Sequence, residues 1–267
     1  MTAGRREEIY ARREVVLCCG AVDSPKLLML SGIGPAARLR SLGIAVLTDL
    51  PGVGQNLQDH LKLSIRWQGK TMLPGSTVTA GLFAYSATGP IPDLQFYVGR
   101  GLEQPDPFVT ITVSLVQPRS RGEIALRSAD PLASPLVRPR YLSEQADVDA
   151  LVHGARLARQ LGASSAYDSL RGEELAPGPS VTTAGELERF VHREADTIYH
   201  AAGTCRMGPG SDLMAVVDAA LRVHGIEGVR VADASIMPEL VGATPHAACV
   251  AIGEKCADLL SLFHRQV

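Results

Sequence analysis

Short apolar runs separated by turn-forming clusters make up the first sixty residues. Val15-Val16-Leu17-Cys18-Cys19 is apolar on both faces, which predicts a short parallel strand covered on both sides. Gly20-Ala21 ends it. Asp23 or Ser24 then caps a helix with Pro25 at or near its first turn and Leu27, Leu28 and Leu30 on its apolar side. Gly32, Gly34 and Pro35 break that helix, and a second short one ends at Gly43. A strand over Ile44 to Leu47 follows, and then a turn-rich loop from Pro51 to His60.

From Leu61 the pattern changes to strict alternation. Lys62 to Trp67, Asp93 to Val98 and Val109 to Val116 read as strands with one wet face, and Arg119 to Gly122 turns into another at Glu123 to Arg127. The Gly-, Thr-, Ser- and Pro-rich stretch from Lys70 to Pro90 reads as a mobile loop. Glu144 to Leu161 carries Val148, Leu151, Val152, Ala155 and Ala158 at helical spacing, and Glu186 to Arg193 is a shorter helix. Near the C-terminus Leu221-Arg222-Val223 and Val229-Arg230-Val231 flank a turn and predict a hairpin. The last helix runs from Pro245 to about Phe263, with Thr244 as its N-cap.

Strand–helix pieces at both ends with antiparallel strands between them predict α/β plus α+β. One domain, over residues 1–60 and 196–267, is interrupted by another over 61–195 whose antiparallel sheet is flanked by helices. At 267 residues and 46% hydrophobic content there is ample material for a core. A net charge of −2 argues against nucleic-acid or anionic-membrane binding, and no apolar run reaches membrane-spanning length. Five cysteines lack CxxC spacing, which disfavours zinc or another metal, and no signal peptide is visible. The expectation is a reduced, soluble, cytoplasmic protein.

Three C-terminal segments carry the chemistry: Tyr199 to Gly208, Ala232 to Pro238, and Thr244 to Ala247. His200 precedes a Gly-Thr-Cys turn and suits a general base that takes a hydroxyl proton while hydride leaves the carbon. Alone, it reads better as a loop histidine bonded to backbone. His246 lies in the first turn of a helix, where free N–H groups and the dipole favour negative charge, such as the N1–C2 edge of a reduced flavin; alone, it reads equally as a helix-start residue facing solvent. Asp233 follows a strand ending in small residues and reads as a cofactor contact or as an Asx turn.

Asp59-His60 resembles a catalytic or metal-binding pair, yet neighbours on an extended chain point to opposite faces, so His60 is given a structural role. His153, His192, His224 and His264 need no chemical role. There is no Gly-x-Ser-x-Gly elbow, and Cys205 has no visible orienting partner, so a hydrolase is disfavoured.

Gly20 to Leu28 through Ser31-Gly32-Ile33-Gly34-Pro35 resembles the second signature of the glucose–methanol–choline (GMC) oxidoreductases. Pro51 to His60 resembles the segment that follows it in that family. Tyr199 to Gly208, Val216 to Pro238 and Pro245 to Leu260 resemble the family's C-terminal block. The resemblance implies an FAD-dependent alcohol oxidase or dehydrogenase acting on a small-molecule alcohol. It implies His200 as base, His246 as its partner, and Asp233, Ala234, His246 and Ala247 near the flavin. The family's opening Gly-x-Gly-x-x-Gly, which receives the FAD pyrophosphate, is not in this sequence; Gly32-Ile33-Gly34 follows a helix and precedes Pro35. The stretch between His60 and Asp93 is also short for the family. The expectation is therefore the C-terminal portion of such an enzyme, working with a separate N-terminal half or as a homo-oligomer. The alternative is a non-catalytic module that retains the substrate-domain fold.

Overall fold

A computed structural model describes residues 7–70, 78–87, 89–99 and 108–264. The chain opens with β1 (Val15–Leu17), α1 (Gly20–Leu30), β2 (Ile33–Gly34), α2 (Ala36–Ser41) and β3 (Thr48–Asp49). Then come β4 (Leu61–Gly69), β5 (Val78–Ala84), β6 (Leu94–Gly99), β7 (Phe108–Leu115), β8 (Glu123–Ala125) and β9 (Leu136–Arg138). The remainder is α3 (Gln145–Gly162), β10 (Arg171–Ala176), α4 (Ala184–Glu194), β11 (Asp196–Thr197), β12 (Val229–Val231) and α5 (His246–His264).

The predicted alternation builds a six-stranded sheet in the order β10-β4-β7-β6-β5, with β11 also on β4. The pairs are antiparallel, with Leu61 opposite Leu115 and Leu94 opposite the same residue. Leu61, Leu63, Ile65 and Trp67 of β4 are buried in one core with Val148, Leu151, Ala155 and Phe190 from α3 and α4. The even positions Lys62, Ser64 and Arg66 are more exposed, as period-two geometry requires. Helix and sheet approach closely at Gly154, where a Cβ would lie 2.7 Å from Val113 Cγ2.

Part of the Lys70–Pro90 stretch read as a loop is strand β5, which pairs with β6 at the edge of the sheet. Its alternation is blurred by Ala80, Gly81 and Ala84, and the neighbouring strand supplies the order that composition hides. Residues 71–77 and 88, also within that stretch, lie outside the described residues. The strand expected over Ile44 to Leu47 is displaced to β3, because Leu47 N and Thr48 N both bond Gly32 O and seat the chain beside β2.

The terminal segments meet in a second core. β1 pairs in parallel with β12, Val15 opposite Val229 and Leu17 opposite Val231. The other edge of β12 takes the predicted hairpin: Val231 N donates to Leu221 O and Val223 N to Val229 O. β1 was expected to be covered on both sides, but Val15 is exposed and Val16 and Leu17 only half-buried. α5 is similarly bare; among its described side chains only Cys256 is fully buried.

Helix α1 starts three residues before the predicted cap at Asp23. Gly20, at φ 78°, opens it, and its N–H donates to the Asp233 carboxylate at 2.9 Å. The helix then runs through Pro25, whose missing N–H leaves the Ala21 carbonyl without its usual partner. Thr204 Oγ1 donates to that carbonyl at 2.6 Å, so the orphaned acceptor is satisfied from the far end of the sequence. No helix among the described residues is long and apolar enough to cross a membrane.

Candidate active site

Three segments distant in sequence are woven together by backbone pairing. Gln58 and Ala202 exchange N–H···O bonds of 3.0 and 2.9 Å. Gly203, Cys205 and Met207 donate in turn to Ala234, Ser235 and Ile236. Side chains lock the weave: Gln58 Nε2 donates to Pro238 O and its Oε1 accepts from Leu240 N. Gly203, at φ 90°, is required here, because a Cβ would fall 2.5 Å from Asn56 O.

His60 and His200 meet ring to ring in this weave. Their Nδ1 atoms are 2.9 Å apart, with the rings near perpendicular at 79°. His60 is completely buried, whereas His200 is half-buried. Burial, and then the neighbouring His200, push the His60 pKa down to about 4; backbone acceptors at Val116 and Val241 oppose the drop. The His200 pKa is also lowered, chiefly by burial, with the Asp59 carboxylate pulling the other way.

The Asp59 carboxylate serves the backbone of His200. Oδ1 accepts from His200 N at 2.9 Å, and Oδ2 accepts from Tyr141 Oη at 2.6 Å and Thr197 Oγ1 at 2.5 Å. Thr197 Oγ1 in turn accepts from Tyr199 N at 2.8 Å. Asp59 and His60 thus do not bond each other, in line with their opposed directions on an extended chain. The sequence reading nevertheless missed His60 as a contact of His200. The signal was the even register of β4 extended back past Leu61, which turns His60 toward the face away from α3 and α4.

The other expected residues divide. Asp233 lies beside α1, but its carboxylate is consumed within the protein: Oδ2 accepts from Gly20 N and Ser24 Oγ, Oδ1 from Ser235 N. The Asx-turn reading therefore describes its side chain. Ala234 is half-buried and its carbonyl accepts from Gly203 N. His246 opens α5 one residue later than Thr244 capping predicts, with Pro245 O accepting from Cys249 N. His246 and Ala247 are exposed, and His246 makes no hydrogen bond, ion pair or ring contact with another described residue. The imidazole that contacts His200 is that of His60. Cys205 is fully buried and its thiol pKa is raised by that burial, which suits packing and not nucleophilic attack. No group of three or more His, Cys, Asp or Glu suited to a metal occurs among the described residues.

The arrangement fits the flavin end of FAD better than its phosphates. The first turn of α5 is open, with exposed His246 and Ala247, and its free N–H groups suit an anionic ring edge. The start of α1 is already closed by Asp233 and Ser24, so it offers no phosphate cradle.

The sequence matches the GMC oxidoreductase family, its C-terminal model over residues 118–253 and its N-terminal model over 1–62. Choline oxidase of Arthrobacter globiformis is 41% identical over 96% of this chain and 50% of the relative. Mitochondrial choline dehydrogenase of Mus musculus is 39% identical over 96% and 49%. Among solved structures, pyridoxine 4-oxidase from Mesorbium loti matches with a TM-score of 0.84 at 32% identity, covering 92% of this chain and 50% of that one. A formate oxidase of Aspergillus oryzae matches with a TM-score of 0.87 at 26% identity, covering 96% and 55%. The chain spans about half the length of the relatives it matches. The shared fold is the α/β FAD-binding fold of flavoprotein oxidases, and FAD is its cofactor.

Proposed function

The chain belongs to the GMC oxidoreductase family, and from that premise we propose that it carries the base-bearing edge of an FAD-dependent enzyme that oxidises an alcohol to its carbonyl. His200 is the base. The observation that carries this reading is the 2.9 Å bond between the Nδ1 atoms of His60 and His200. One ring must donate and the other accept. We take the Nδ1 of buried, neutral His60 as the acceptor; its Nε2 is buried without a hydrogen-bond partner among the described residues. His200 then carries its proton on Nδ1, and its Nε2 makes no hydrogen bond to another described residue.

Bound FAD supplies the acceptor for the hydride that leaves the alcohol carbon. The hydroxyl proton moves to His200 Nε2 and converts that ring to an imidazolium. Its Nδ1–H goes on donating to His60, which burial keeps neutral and therefore able to accept. Asp59 supplies the negative charge beside the new cation. The open first turn of α5, with His246 and Ala247, would hold the flavin, and Asp233 and Ala234 would offer it backbone alone. Residues 1–60 and 196–267 form the FAD-binding unit, and 61–195 the unit over the small-molecule alcohol.

The dinucleotide grip comes from protein outside these 267 residues. The exposed edge of β1 and the bare, apolar α5 support this, because parallel strands are ordinarily covered on both faces. The isolated 267-residue chain is expected to purify without stoichiometric FAD. Supplying a GMC dinucleotide-binding half is expected to restore FAD retention and alcohol-dependent bleaching of the flavin. A yellow, fully flavinylated preparation of the chain alone would refute the divided site.

A further inference from the structure

Asp59 lies in the loop before β4, Tyr141 just after β9 and Thr197 in β11, and all three converge behind His200. The carboxylate is 7% exposed yet accepts three hydrogen bonds, from His200 N, Tyr141 Oη and Thr197 Oγ1. The backbone around it is held in conformations that side chains disfavour. Tyr199 sits at φ 63°, and Arg140 and Leu142, on either side of Tyr141, at 52° and 57°. Such conformations persist only where their surroundings enforce them. Here the enforcing contacts lead to one carboxylate: Tyr141 bonds it directly, and Tyr199 N reaches it through Thr197 Oγ1.

We propose that Asp59, buttressed by Tyr141 and Thr197, is a positioning residue for the His200 base: it clamps the His200 backbone and sets a negative charge beside the imidazole. The proposal rests on the reading of His200 as base. The titratable groups that meet here are Asp59, His60 and Tyr141, with Asp196 acting on the Tyr141 hydroxyl. Of these, Asp59 raises the proton affinity of His200 against burial. Burial and the Asp59 carboxylate together push the Tyr141 hydroxyl pKa up, so it remains a donor across the working range.

The role is tested on the FAD-loaded, complete flavoprotein by following flavin reduction by an alcohol from pH 5 to pH 9. Asp59→Asn keeps an oxygen to accept from His200 N but removes the charge. Its reduction rate is expected to fall about tenfold, and the acid limb of the profile to move down by about one pH unit. Tyr141→Phe takes a donor from the carboxylate and leaves its charge. It is expected to slow reduction while holding the acid limb in place or moving it up. The opposed directions distinguish charge from general loosening, and Tyr141→Phe keeps the test informative if Asp59→Asn fails to fold. An acid limb unmoved in a folded Asp59→Asn variant, or moved down by Tyr141→Phe, overturns the proposal. His200→Ala separates the two levels: if it leaves reduction intact, the base assignment itself falls.

Discussion

Two imidazoles that share a hydrogen bond divide their roles by burial. His60 has lost its water and holds its neutral form down to about pH 4, while half-buried His200 bonds no described residue through its Nε2. This has a consequence for stability. The folded-state pKa of His60 lies below the unfolded value of 6.5, so the unfolded chain binds more protons between the two. Stability from this residue is complete above about pH 6.5 and is lost as pH falls toward 4, by up to about 3 kcal/mol. Denaturant titrations across that range should show the slope in the native sequence and a flatter one in His60→Leu. Equal slopes would remove His60 as their source. His200 was legible as a candidate base because its motif and its small-residue turn lie together in sequence. The contact of His60 with it was not, because the two lie 140 residues apart.

Elements form where the pattern predicts them when their partners are local, and shift where a distant group intervenes. Alternation placed β4, β6 and β7, and helical spacing placed α3 and α4, each within a residue or two. Helix α1 began early because Asp233, 213 residues on, caps Gly20, and it tolerates Pro25 because Thr204 takes up the freed carbonyl. No periodicity reports such bonds. The contact of α3 with β7 offers a direct test of packing. In Gly154→Ala the new Cβ meets Val113 at 2.7 Å, so overpacking outweighs the gain in helix propensity. The denaturation midpoint should fall by an amount equivalent to about 1–2 kcal/mol. An unchanged or raised midpoint would mean that helix and sheet can separate without cost.

At the scale of the molecule, two cores stand side by side in sequence. The sheet packs on α3 and α4, and the unit built from β1, β12 and α5 leaves apolar surface at Val15, Val250 and Leu262. That bare side belongs to the unit carrying the open turn at His246 and the weave around His200. Chain ends that meet in one unit explain why the chemistry-bearing motifs cluster at the C-terminus yet depend on Gly20, Ala21 and Gln58. In the proposed reaction His200 accepts the substrate proton, and anaerobic flavin reduction by an alcohol in the FAD-loaded complete protein measures that step. His200→Ala should slow reduction by about 10²–10⁴-fold with FAD content unchanged. Reduction at the unaltered rate, or loss of FAD in proportion to the loss of rate, would contradict it.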